Sequence, residues 1–293
     1  MEKRKLGKTE QMSSILTFGG FAVGFSVTQK EADAAIEMTL EAGINRVDVA
    51  PDYGEAEARL GSYFKRHGNG FFLGCKTTER TRTGAWESLK KSLERLHVDY
   101  FDIFQFHGVK NQTELDTILG PDGALEAVLE AKKQGLVRFI GITGHHPVLF
   151  NEALKRFDFD TVMFPLNRVH AAHFNNWNDW RPLLKTAREK NVGVFAIKTV
   201  AKRVWPDGEE GEHKYQTWYE PFDEAEDIEK CVRYTLSQDI CTAALPGELK
   251  LWPNVIKAAQ KFKPMTPKEQ KQAIAEVSQY PPLHAEWMEI SNW

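Results

Sequence analysis

A carboxylate, a phenol, an ammonium and an imidazole stand at or just beyond the ends of short apolar runs: Asp48, Tyr53, Lys76 and His107. Asp48 closes the run in INRVD, and Tyr53 follows five residues later in the turn APDYG. Lys76 ends FFLGCK, and His107 ends FDIFQFH. Singly, each has a plain explanation: a strand-end carboxylate capping amides, a tyrosine lying on its turn, a snorkelling lysine, a satisfied rim histidine. Together they say more. Three successive strands deliver ionisable groups to one rim, and proton transfer needs such groups within hydrogen-bond reach of one another. A second chemistry is also open, because His107, His145, His146 and His170 with Asp48 form a histidine-rich rim that could hold a metal for hydrolysis.

The elements that must position these residues alternate with regularity. Strand one is Ile15 to Phe18; Thr28 then opens a helix with Glu31 in capping-box spacing, and Gly43 ends it. The β-branched run Ile44, Val47, Val49, stopped by Pro51 and Gly54, is strand two. Strand three is Phe71 to Cys75, followed by a helix with Trp86, Leu89, Leu93 and Leu96 on one face. Strand four is Phe101 to Phe106; Asp122 and Gly135 frame the next helix, and strand five is Val137 to Ile142. Strands six, seven and eight fall at Thr161 to Phe164, Val192 to Ile197 and about Cys241 to Leu245. Eight strand–helix units predict a parallel (β/α)8 barrel, a TIM barrel, whose chemistry gathers at the C-terminal ends of its strands.

Composition bounds the function classes. The 293 residues carry 38 basic and 41 acidic side chains, net charge −3, which gives no reason to expect nucleic acid or an acidic membrane as partner. No Pro/Ser/Gly-rich linker or block of like charge divides the chain, so residues 1–293 are expected to form a single barrel domain. No apolar run reaches the roughly 18 residues of a spanning helix, and MEKRKLGKTEQ lacks the apolar core of a signal peptide, so a cytoplasmic location is expected. Cys75, Cys231 and Cys241 are too scattered for a disulfide framework or a structural zinc. The sequence sets no oligomeric state.

The segments DVAPDYGEAEARLG, CKTTER, DIFQFH and GLVRFIGIT resemble the aldo-keto reductases, and MEKRKLGKTEQMSSILTFGG is similar to that family's N-terminal β-hairpin. The resemblance runs to about Leu245. It implies a (β/α)8 barrel, a nicotinamide cofactor, NADP(H) in preference to NAD(H), and metal-free reduction of a small aldehyde or ketone. It also implies that Asp48, Tyr53, Lys76 and His107 form the catalytic tetrad. The residue types suit that role. Reduction of a carbonyl leaves an alkoxide needing a proton, which Tyr53 would donate. Lys76 would lower the phenol's pKa, Asp48 would keep Lys76 protonated, and His107 would donate a second hydrogen bond to the carbonyl oxygen.

The cofactor side departs from the family pattern. Thr143-Gly144 replace the Ser-Asn that commonly hold the carboxamide, and Met163 replaces a glutamine, although Asn167 aligns with an asparagine of the pattern. Thr143 can still offer a hydroxyl, with Asn167 or His145 as substitutes. After strand seven the sequence AIKTV offers Lys198 to the pyrophosphate. Pro246-Gly247 keep the turn that begins the family's phosphate-binding segment, with Lys250 nearest to a 2′-phosphate and Glu248 opposing it. The lost anchors motivate a competing reading, a cofactor-binding redox sensor or regulatory protein with little turnover. Residues 202–222, rich in Trp205, Trp218, Tyr219 and Phe222, are expected to act as a lid, and the tail from Pro281, with Trp287 and Trp293, adds further aromatic surface.

Overall fold

The computed structural model describes residues 1–206 and 212–283; Trp287 and Trp293, and part of the expected lid, lie outside the described residues. Eight strands close into a barrel in chain order: β1 (Leu16–Gly19), β2 (Arg46–Asp48), β3 (Phe72–Thr77), β4 (Phe101–Phe106), β5 (Val137–Thr143), β6 (Thr161–Pro165), β7 (Gly193–Ile197) and β8 (Thr242–Ala244). Every neighbouring pair is parallel, β8 returning to β1. Parallel strands covered on both faces read as near-continuous apolar runs, which is why FDIFQF is buried throughout.

Helices follow the strands: α1 (Gln29–Glu41), α2 (Ala56–His67), α3 (Arg82–Leu96), α4 (Gln112–Leu119), α5 (Ala124–Lys133), α6 (Pro147–Arg156), α7 (Arg168–Ala172), α8 (Arg181–Glu189), α9 (Ala225–Leu236), α10 (Trp252–Gln260) and α11 (Pro267–Ala275). The capping box expected at α1 is present: the Thr28 side chain accepts from the Glu31 amide, and the Glu31 carboxylate accepts from the Thr28 amide at 2.7 Å. Helix α4 is an addition to the sequence reading. Its start is marked by Asn111, whose side chain accepts from the Glu114 amide at 2.9 Å. No helix among the described residues is long and apolar enough to cross a membrane.

The two ends of the barrel are built differently. At the N-terminal end a hairpin pairs Lys3–Lys5 with Met12–Ser14, and Leu6 at its turn is fully buried beside Ile103, Met163 and Phe195. Gly7 adopts φ +51, and a Cβ there would lie 2.4 Å from the Gly193 amide nitrogen, so no other residue lets the turn seat this deeply. Just above, Arg46 is buried with its guanidinium 4.2 Å from the Phe195 ring and 5.0 Å from the Phe72 ring. Its contacts are to aromatic faces, since its guanidinium nitrogens have no hydrogen-bond partner among the described residues. The C-terminal end stays open. A second hairpin, Ala201–Val204 against Tyr219–Pro221, rises there after β7.

Candidate active site

Register places the first three groups. Asp48 is the last residue of β2, opposite Gly74 on β3; Lys76 lies two residues further along β3, opposite Gln105 on β4. Alternation along a strand points residues two apart to the same face, so all three side chains enter the barrel mouth. There the Lys76 ammonium lies 2.5 Å from Asp48 Oδ2, 3.2 Å from the Tyr53 hydroxyl and 3.3 Å from the Val49 carbonyl. Gln105 Nε2 donates to the other Asp48 oxygen at 2.8 Å. Lys76 is fully buried, so the snorkelling alternative does not describe it. Tyr53 reaches this group from the turn after β2, which is held against the loop after β1: the Glu55 amide donates to the Gly24 carbonyl at 2.7 Å. A Cβ on Gly24 would come 2.1 Å from the Tyr53 carbonyl oxygen, so the turn can approach only a glycine.

Burial pushes the Tyr53 phenol up to about 12; Lys76 pulls it down, while Asp48 and Asp52 push it up. The sequence-based expectation of a lowered phenol is therefore corrected: Lys76 acts in the expected direction, but desolvation outweighs it. Burial works against the Lys76 ammonium too, yet Asp48 and Tyr53 hold it above the ordinary lysine value. The result is a protonated phenol beside a fixed cation in a water-poor recess.

His107 follows β4 directly, its ring edge-on to Tyr53 with centroids 5.6 Å apart. Its Nδ1 faces Asp52 Oδ1 at 3.2 Å, at ion-pairing distance but turned away from a well-aligned hydrogen bond. Burial lowers the imidazole below its ordinary value, Lys76 adding to this and Asp52 opposing it.

Asp48, Tyr53, His107, Thr143 and Lys198 all line one cavity of about 240 Å³ at the mouth. Thr143, the last residue of β5, is buried there beside Gly144 and Met163. Lys198 has φ +63 and lays its ammonium over the rings of Trp218 and Tyr219, 4.6 and 4.7 Å from their centroids. Burial pushes it down to about 7. Asn167 is placed elsewhere: its oxygen accepts from the His170 amide at 2.8 Å, and its nitrogen donates to the Lys198 carbonyl at 3.0 Å. It holds the Lys198 backbone rather than facing the cavity.

Gly247 lines the same cavity, and Pro246 precedes it with its carbonyl accepting from the Trp252 indole at 2.8 Å. Lys250 lines an adjoining cavity of about 640 Å³ that shares Thr217 and Trp218 with the first. Glu248, largely buried, accepts from the amides of Lys250 and Gln216 at 3.1 and 3.2 Å, so the Lys250 amide, in the segment expected to bind phosphate, is already taken by this carboxylate. Between the two cavities runs a strap, residues 212–218. Gln216 pins it across the mouth by donating to the carbonyls of Ala22 and Gly247 at 3.0 and 2.7 Å.

The histidine-rich rim holds together only in part: His107 and His145 line the cavity with Asp48, whereas His146 and His170 do not. His146 caps α6, accepting from the Leu149 amide at 3.3 Å, and His170 is buried in α7, away from the cavity lining. Among the described residues no group of three or more His, Cys, Asp or Glu side chains could hold a metal ion. Sequence reasoning missed Gln105, although it alternates in phase with His107, and Asp52, although it adjoins Tyr53. Gln216 carried no signal, since its partners are backbone carbonyls remote in sequence.

The sequence model of the Aldo/keto reductase family matches residues 15–278. An L-galactose dehydrogenase of Arabidopsis thaliana is 31% identical over 223 residues, and an uncharacterized oxidoreductase, YqkF, of Bacillus subtilis is 28% identical over 216. Each alignment takes in 69% of this chain and 66% of the relative, so the chain spans a little under two thirds of those relatives' length. The solved holo form of an aldo-keto reductase from Bacillus halodurans superposes with a TM-score of 0.71 at 24% identity, over 97% of this chain and 99% of that one, a likeness of fold. A match over nearly the whole barrel, on a chain whose β2, β3 and β4 ends converge as described, establishes that this protein belongs to the aldo/keto reductase family.

Proposed function

We propose that this protein is a nicotinamide-dependent oxidoreductase that reduces an aldehyde or ketone to an alcohol, with Tyr53 as the proton donor. The observation that carries the reading is the line Gln105, Asp48, Lys76, Tyr53, each bonded to the next and ending with a phenol at the wall of the mouth cavity. A nicotinamide, when bound, would supply hydride to the carbonyl carbon. The resulting alkoxide is a far stronger base than a phenolate, so the proton leaves Tyr53 downhill even from a phenol near 12. Lys76 then faces the phenolate at 3.2 Å and stabilises it, while Asp48 and Gln105 fix the ammonium in place. A phenol protonated at every physiological pH is always loaded for reduction.

Two cavities meeting at Thr217 and Trp218 offer an extended site for a dinucleotide, the second being lined by Lys214 and Lys250 and also by Glu31 and Glu248. In this reading Thr143 would hold the carboxamide, Lys198 and Gly247 would receive the pyrophosphate, and Lys250 would favour NADP(H) over NAD(H) against the opposing charge of Glu248. Tyr53→Phe tests the catalytic reading. It removes the proton and little else, so reduction is expected to fall by about 10²–10⁴-fold with cofactor binding retained. Full turnover in that variant would sink the assignment.

A further inference from the structure

Resting on that reading, we infer that Arg80 is a positioning residue: its guanidinium fixes the backbone on the carbonyl side of His107 and so sets where the imidazole meets the substrate's carbonyl oxygen. Nη2 donates to the carbonyls of His107 and Gly108 at 2.8 and 3.2 Å. Nε and Nη2 also donate to Glu114 Oε2 on α4, at 3.2 and 2.9 Å, and the same oxygen accepts from the Lys110 amide at 3.2 Å. One guanidinium and one carboxylate oxygen thus draw together the loop from the end of β4 to the first turn of α4. Arg80 itself lines neither cavity, so its effect on the reaction passes through the loop that bears His107.

The need for a clamp follows from where the loop bends. His107 is held on its other side by its amide, which donates to the Thr77 carbonyl at 2.8 Å. Gly108 follows with φ +63 and nothing within 4 Å of where a Cβ would stand, a backbone free to turn unless its carbonyls are tied. Among the described residues Arg80 is the only donor to either carbonyl. With both sides of His107 fixed, the ring keeps its edge-on place beside Tyr53, centroids 5.6 Å apart. Thr77 and Arg80 belong to the stretch that begins with Lys76, so the segment bearing the ammonium also carries both grips on the imidazole. A plain salt bridge does not account for this arrangement: Arg80 and Glu114 are both partly exposed, where an ion pair adds little, whereas the two carbonyls would otherwise lack a protein donor.

The test compares wild type, Arg80→Ala and Arg80→Lys by kinetics with a panel of small aldehydes including propanal, by fluorescence titration of the reduced cofactor, and by pH titration of the His107 Cε1–H resonance. In Arg80→Ala kcat/KM is expected to fall about 10- to 100-fold, the cost of a catalytic group displaced by about an ångström, with cofactor affinity unchanged within about twofold. Burial holds the imidazole below its ordinary value, so a ring freed to swing toward water titrates higher in both variants. Arg80→Lys keeps the charge and loses the fork, so a rise there reports the ring's place and not a lost cation. Turnover in Arg80→Ala within about twofold of wild type, or a His107 titration that stays put in Arg80→Lys, overturns the inference while the reductase reading stands. An Arg80→Ala chain that does not fold leaves Arg80→Lys to give both readouts, with a smaller fall in kcat/KM. A wild type that reduces none of the aldehydes removes the reductase reading, and the titration alone then decides whether Arg80 places the ring.

Discussion

Lys76 is the residue on which the mouth depends most, because it is buried between a carboxylate and a phenol. Lys76→Met removes the cation that draws the phenol down and leaves Asp48 without its counter-charge. Turnover is expected to collapse and stability to drop by about 3–5 kcal/mol, read from chemical denaturation. Its folded-state pKa is raised, so its contribution to stability is complete below the ordinary lysine value and is lost only in strong alkali. Lys198 behaves oppositely. Burial brings it down to about 7, so an anionic cofactor meets an ammonium at pH 6 and mostly a neutral amine at pH 8.5. Affinity for the reduced cofactor should weaken across that range, by up to about tenfold per pH unit, and Lys198→Gln should flatten the profile. Fluorescence titration at the two pH values checks this; a wild-type profile already flat would detach Lys198 from the phosphates. Asp48, Lys76 and His107 were legible because each ends an apolar run, and a strand-end position fixes where a side chain goes. The raised phenol was not legible, since it depends on how much water the folded mouth excludes.

At the scale of elements, the Gln216 side chain ties the strap across the mouth to the loop after β1 and to the turn after β8. Gln216→Ala removes two bonds to carbonyls, and release of the reduced cofactor in stopped-flow should speed up by about 2- to 10-fold with little change in melting temperature. An unchanged release rate would mean that the strap does not gate the site. Gly24→Ala acts on the loop beneath Tyr53: the Cβ has no room beside the Tyr53 carbonyl, so the turn must shift, and catalysis should fall more than stability. The strands and most helices could be read from apolar runs and caps such as Thr28 with Glu31. The antiparallel pairing of Ala201–Val204 with Tyr219–Pro221 could not, because those segments lie far apart in sequence and alternate weakly. What looked like one irregular lid thus begins and ends as a hairpin.

As a whole molecule, the barrel separates stability from chemistry by its two ends. Leu6→Ala empties the plugged floor without touching the mouth, and is expected to cost about 2–5 kcal/mol with kcat preserved at low temperature; thermal unfolding and kinetics on the same preparation read both. The plug has a further consequence for the chain as it is made. Gly7 rests on Gly193 and the Lys8 amide donates to the Asn191 carbonyl at 2.7 Å, so during synthesis this turn waits for partners made much later in the chain. At about 5–20 residues per second that delay is on the order of 10–40 s, during which Leu6 and the inner face of the early strands are exposed to whatever else is in the cell. The same turn that seals the finished barrel thus cannot be seated until β7 has been made.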